Sequence, residues 1–160
     1  MTKLRLFTLV AGISLVLDQL SKSYIDNNFA LSQSKQVIAN FFHITYVRNP
    51  GAAFGILSDS AIRIPFFVTV SIIASLGIIW YLRQIKQSQK WQHIALGLIF
   101  SGAIGNLIDR IRFGEVIDFI DVHWYNWHWP AFNVADSCIC VGVTILLICS
   151  WQEERQKSKI

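Results

Sequence analysis

Hydrophobic residues in this chain gather into four long runs, at about 4–24, 62–82, 91–108 and 132–151, separated by polar or mixed segments. A helix needs roughly 20 mostly apolar residues to cross about 30 Å of hydrocarbon. Backbone in lipid must satisfy its own hydrogen bonds, so each run predicts a transmembrane helix. Pro65 falls in the first turn of the second run, where a missing N–H is tolerated. Between the first two runs, residues 25–61 carry the aromatic and β-branched stretch Phe42-His43-Ile44-Thr45-Tyr46-Val47 and then the turn signal Asn49-Pro50-Gly51. Between the last two, residues 109–131 carry Val116-Ile117-Asp118-Phe119-Ile120. These patterns predict a small β-hairpin or sheet that gains stability by resting on the helix ends. The expected fold is an α-helical integral membrane protein, one membrane domain over residues 1–160, with four transmembrane helices and a small extracytoplasmic β-sheet region.

Composition turns this pattern into a choice of solvent. The 160 residues are 53% hydrophobic and 15% charged, with mean hydropathy +0.44, whereas a soluble domain carries about 25% charged residues. With both termini inside, the cytoplasmic parts hold Lys3, Arg5, Arg83, Lys86, Lys90, Arg155, Lys157 and Lys159 against only Glu153 and Glu154. That asymmetry follows the positive-inside rule. The net charge of +4 is therefore a topology signal, and no nucleic-acid partner is expected. Trp80, Trp91 and Trp151 fall at the inner boundary and Trp124, Trp127 and Trp129 at the outer one, as an aromatic belt places them. The first run follows Lys3 and Arg5 as a secretory signal does, but it is too long and lacks a small-residue cleavage site, so an uncleaved helix is expected. Cys138, Cys140 and Cys149 all lie in the fourth run and are assigned to packing.

Every aspartate belongs to an outer segment or to the outer half of a helix, and ionisable groups at membrane depth are costly and commonly functional. Asp18 and Lys22 are spaced i, i+4, which suits a salt bridge; a purely structural pair carries about half the weight. Gly97, Ser101 and Gly105 form a small-residue stripe along which another helix can approach. Asn106, Asp109 and Arg110 share a face of that same helix, and the plain alternative is a packing cluster in which Arg110 neutralises Asp109. Asp118 sits in an apolar stretch; its plain alternative is a surface pair with Arg110 or Arg112. Asn133-Val134-Ala135-Asp136 resembles a capping box for the fourth helix, which explains Asn133 better than Asp136. His123 and His128, near Asp118 and Asp121, fit no specific metal-ligand spacing and read instead as an interfacial aromatic loop.

Taken together these stretches resemble the lipoprotein signal peptidase family, signal peptidase II. The resemblance rests on Asp18-Gln19-Leu20-Ser21-Lys22, on Asn49-Pro50-Gly51-Ala52-Ala53-Phe54-Gly55, on residues 102–110, on Val116-Ile117-Asp118-Phe119 and on Phe132-Asn133-Val134-Ala135-Asp136. They occur in the family's order over nearly the whole chain. Ser101 departs from a frequent glycine but stays small.

The resemblance implies an aspartic endopeptidase of the bacterial inner membrane, which removes signal peptides from prolipoproteins bearing a diacylglyceryl-modified cysteine. It places the catalytic dyad on Asp118 and Asp136, and supporting roles on Asp18, Lys22, Asn49, Gly51, Asn106, Asp109, Arg110 and Asn133. Membrane lipids and lipid-modified prolipoproteins are the expected partners, the protein is expected to act as a monomer, and no metal or cofactor is expected. Two other classes fit parts of the pattern: a proton- or cation-coupled transporter and a non-catalytic assembly factor. Against the transporter, the acidic groups gather on one side of the membrane and do not line a path across it.

Overall fold

The computed structural model describes residues 3–51 and 57–157. Residues 52–55 of the Asn49–Gly55 motif lie outside them. Four helices, α1 (Lys3–Asn28), α2 (Arg63–Gln84), α3 (Lys90–Phe113) and α4 (Val134–Lys157), are each long and apolar enough to cross a membrane. Three outlast their apolar runs by four residues or more, α4 among them, which continues past Trp151 to Lys157. Helix α1 continues past Tyr24 to Asn28, and α3 continues past Ile108 to Phe113. Hydropathy marks where lipid ends, whereas a helix ends where its backbone is capped. For α3 that cap is Gly114, in the left-handed conformation at φ 73°, whose N–H donates to the Arg110 carbonyl.

Helix α3 is central, packing against α1, α2 and α4. Its small residues allow this. A Cβ on Gly97 would press on Phe7 and Val10 of α1, and one on Gly105 would run into the Asp18 carboxylate. The stripe seen in the sequence therefore faces α1. Small residues also line the contact with α4: a Cβ on Gly102 of α3 would collide with the Ala135 carbonyl oxygen, and one on Gly142 of α4 would lie 2.6 Å from Ile99 of α3. Large side chains such as Leu20, Ile73, Leu76 and Leu147 are exposed around the helices, the surface expected of a bundle solvated by lipid.

All four strands pair antiparallel in the order β1 (Ser34–Ile38), β2 (Phe42–Asn49), β3 (Val116–Trp124) and β4 (Trp127–His128). The aromatic stretch forms β2 and the Val116 stretch forms β3, as the patterning predicts. The hairpin, however, lies upstream of the expected turn. β2 pairs with Ser34–Ile38, and the chain reverses at residues 39–41, with Asn40 at φ 57°. Asn tolerates that conformation. Asn49-Pro50-Gly51 ends β2 and does not turn a hairpin. Ile25 of α1 joins Tyr46, Ile117 and Phe119 in a small core that seats the sheet on the helix ends.

Candidate active site

Strand register brings the first pieces together. Val47 lies opposite Asp118 and Asn49 opposite Val116, so Asn49 and Asp118 are diagonal neighbours on one face. The Asn49 amide donates to Asp118 Oδ2 at 2.9 Å, and its own Oδ1 accepts the Gly51 N–H at 3.0 Å. Asn133 caps α4, and its amide donates to Asp118 Oδ1 at 2.7 Å. The capping box is formed reciprocally: the Asp136 N–H donates to Asn133 Oδ1 at 2.9 Å, and the Asn133 N–H to Asp136 Oδ2 at 3.3 Å. The other Asp136 oxygen, Oδ1, accepts the Asn106 amide at 2.7 Å. Capping and site-building are thus the same set of bonds. They leave Asp118 and Asp136 linked through the side chains of Asn133 and Asn106.

Beneath this pair lies a buried ionic cluster. Lys22 Nζ is 3.0 Å from Asp18 Oδ2, 3.0 Å from Asp109 Oδ2 and 2.9 Å from Asn106 Oδ1. Main-chain donors reach both carboxylates: Asp18 Oδ1 accepts the Ala135 N–H at 2.9 Å, and Asp109 Oδ2, the oxygen that also faces Lys22, accepts the Ile117 N–H at 3.2 Å. One ammonium therefore joins α1 and α3, while its two carboxylates hold the start of α4 and the residue before Asp118. Charges this deep stay ionised only when paired and fully hydrogen-bonded. Asp109 pairs with Lys22, not with Arg110. Arg110 reaches the Gly51 carbonyl at 3.2 Å and stacks over Phe67 of α2 at 4.5 Å. Asp118 has amide partners where the plain reading put an arginine.

Asp118 and Asp136, with Asn49, Asn106 and Arg110, line a cavity of about 500 Å³. The apolar Trp129, Phe132 and Ile139 line it as well. Asp118 is only 2% exposed, and Asp136 is half-buried. Burial, with the neighbouring Asp136 second, pushes the Asp118 carboxyl up to about 7, against the lowering effect of the two amide hydrogen bonds.

Some contributors escape sequence reasoning. Gln19 spans Asp18 and Asp109, at 3.1 and 3.3 Å; its place in the Asp18–Lys22 stretch is the only signal. Arg48, beside Asn49, binds Asp26 Oδ1 and the Tyr46 hydroxyl, each at 2.6 Å, while Tyr46 donates to Asp26. The alternation Tyr46-Val47-Arg48 hints at one shared face, but its partner on α1 is visible only in the fold. His128 binds Asp121 at 2.8 Å. Among the described residues, no group of three or more His, Cys, Asp or Glu is placed to hold a metal.

The fold and this site define a four-helix integral membrane protein with a carboxylate-lined cleft at the end of the bundle that carries the sheet. A sequence model described as Signal peptidase (SPase) II matches residues 10–152. Proteins named lipoprotein signal peptidase are similar throughout. That of Geobacter sulfurreducens is 55% identical, covering 96% of this chain and 96% of its own, and that of Geobacter metallireducens is 50% identical, covering 97% and 96%. A solved structure described as a bacterial membrane enzyme, determined by the in meso method at 2.3 Å resolution, superposes with TM-score 0.86 at 35% identity over 94% of this chain and 90% of that one. The chain belongs to the signal peptidase II family and is a peptidase.

Proposed function

We propose that this peptidase is an aspartic endopeptidase of the bacterial inner membrane, cutting diacylglyceryl-modified prolipoproteins before the lipidated cysteine with Asp118 and Asp136. The observation that carries the reading is the pairing of these two carboxylates through Asn106 and Asn133 on the wall of one cavity. Two carboxylates so placed resist double ionisation, and one keeps a proton. The ionised member removes a proton from water as the water oxygen bonds to the scissile carbonyl carbon. The protonated member donates to the carbonyl oxygen, giving a neutral tetrahedral diol. On collapse the carbon–nitrogen bond breaks, the first carboxyl gives its proton to the leaving nitrogen, and the second regains its proton from a diol hydroxyl. Asp18, Lys22 and Asp109 hold the frame, Asn49, Asn106 and Asn133 position the carboxylates, and Arg110 positions Gly51 at the rim.

A lipid-bearing substrate suits a cleft lined by both polar and apolar side chains at a helix-bundle end, where acyl chains stay in hydrocarbon while the peptide bond meets water. Both termini are placed in the cytoplasm and the cleft towards the outer face, on the strength of the basic-residue asymmetry. The protein acts as a monomer, without metal or cofactor. Purified protein incubated with a lipid-modified precursor and with the same precursor unmodified tests the reading. Cleavage of the modified form alone is expected; equal cleavage of both, or of neither, contradicts it.

A further inference from the structure

The side chains of the site have directions as well as positions, and one of them is fixed from below. An ammonium carries three N–H donors and no acceptor. All three of those on Lys22 have takers: Asp18 Oδ2, Asp109 Oδ2 and Asn106 Oδ1, at 3.0, 3.0 and 2.9 Å. Asn106 Oδ1 also accepts from the Asn133 amide at 3.2 Å. Rotating the Asn106 carboxamide by half a turn would face its NH2 against these donors, all of it buried, so the oxygen must point at Lys22. The NH2 is then left for Asp136 Oδ1, at 2.7 Å.

Asn133 is oriented in the same way. Its NH2 meets the Ile117 carbonyl at 3.2 Å, a group that only accepts, and its oxygen meets the Asp136 N–H at 2.9 Å. Both carboxylates thus meet fixed donors, and they differ in where they stand. Asp136 sits in the first turn of α4, where the helix dipole favours negative charge, and it is half-buried with a side-chain donor on one oxygen and a main-chain donor on the other. Asp118 likewise has a donor on each oxygen, from Asn49 and Asn133, but it sits on a strand and is almost fully buried, so burial and the helix end set the two carboxylates apart. The charged groups that act on it are Asp136 from α4 and Lys22 from α1, with Arg110 of α3 nearby.

We infer that Lys22 is a positioning residue that helps set the polarity of the dyad: by holding the Asn106 oxygen it turns the Asn106 NH2 onto Asp136, so that Asp136 at the helix start acts as the base and the more deeply buried Asp118 as the acid. The raised Asp118 carboxyl agrees with this. The inference rests on the proposed dyad and goes beyond it, since a dyad alone does not say which member holds the proton. In hydrolysis, Asp136 takes the proton from water, Asp118 gives its own to the carbonyl oxygen, and each is restored as the diol collapses.

Infrared spectra of substrate-free protein in nanodiscs test this without reference to turnover. At pH 6 the wild type should show the C=O band of a protonated carboxyl. Asp118→Asn should abolish that band. Asp136→Asn should keep it but shift its loss to lower pH, because the neighbouring charge that opposes ionisation is gone. A band lost in Asp136→Asn and kept in Asp118→Asn overturns the inference, while the proposed cleavage reaction survives if both variants are inactive on lipidated precursor. Full cleavage by either variant sinks the dyad itself, a separate result.

For Lys22, a single Lys22→Met leaves unpaired buried charges and is expected to fold poorly, so it is made together with Asp18→Asn and Asp109→Asn. The Asp118 band of this triple variant should titrate at a different pH from the band of an Asp18→Asn control, in which Lys22 keeps Asp109 as its partner. Once Asn106→Ala is added to both, the difference should shrink to the direct electrostatic effect of the lost charges on Asp118. A band unmoved by Lys22→Met, or moved equally with Asn106 absent, removes Lys22 from the positioning role.

Discussion

Asp118 has a thermodynamic cost that can be read in the folded protein itself. Its carboxyl is pushed up to about 7, chiefly by burial, so between about pH 4 and pH 7 the folded state binds more protons here than the unfolded chain does. Stability from this group is full below the unfolded pKa and is lost as pH rises through 7. Asn cannot titrate, so the melting temperature of Asp118→Asn minus that of the wild type should increase from pH 5 to pH 8; a difference that stays flat contradicts the burial account. Asn49 sits one bond away. Asn49→Ala removes one of the two amide donors to Asp118 and is expected to lower the cleavage rate about tenfold or more, since a lost hydrogen bond to a charged or reacting group is worth roughly 1.5–3 kcal/mol. Melting measured in the same detergent should change little, and a fully active Asn49→Ala enzyme would show that this bond does not serve cleavage. Most site residues were legible at this scale because a polar side chain in an apolar run announces itself. Backbone donors such as the Ala135 and Ile117 N–H groups were not, because every residue has one and only the fold selects which are used.

Among the elements, the α3–α4 crossing decides where Asp136 stands. Gly102 lets the Ala135 carbonyl come so close that a methyl group cannot fit between them, and Asp136 is the next residue. Gly102→Ala should push the start of α4 outward, stretch the Asn106–Asp136 bond and cost about 1–3 kcal/mol. Cleavage should fall by more than the loss of folded protein explains; unchanged specific activity at reduced stability would show that the crossing serves packing alone. Apolar runs revealed the four helices, and the capping box marked the start of α4, but runs do not name a helix's partners, so the second small-residue face of α3, towards α4, was not anticipated. The hairpin was misplaced for a similar reason. Ser34-Lys35-Gln36-Val37-Ile38 is an exposed edge strand with little apolar alternation, and a strand held mainly by main-chain pairing leaves a weak trace in sequence. The Asn-Pro-Gly signal drew attention to a turn that ends a strand and reverses no hairpin.

For the whole molecule, the arrangement is a bundle whose buried ionic cluster lies at the same end as the sheet. The Trp124, Tyr125 and Trp127 side chains of the β3–β4 hairpin are exposed there, a natural place for an interfacial aromatic belt. If the proposed orientation holds, a cysteine introduced by Asn126→Cys, between those strands, reacts with a membrane-impermeant thiol reagent added to intact spheroplasts. Reaction only after lysis would invert the topology. Exhaustive chelation should leave the rate of purified enzyme unchanged, and loss of activity restored by zinc would overturn the two-carboxylate chemistry.

The account turns on Asp118 and Asp136 acting as acid and base. The most direct measurement is single-turnover cleavage of a lipid-modified precursor by Asp118→Asn and Asp136→Asn, each shown by melting to be folded in the same detergent. Asn at position 136 remains a competent partner for the α4 cap, so a merely structural aspartate there would tolerate the change with a modest loss. The account predicts that both variants are folded and that cleavage falls by several orders of magnitude in each. Near-normal turnover by either one would contradict it.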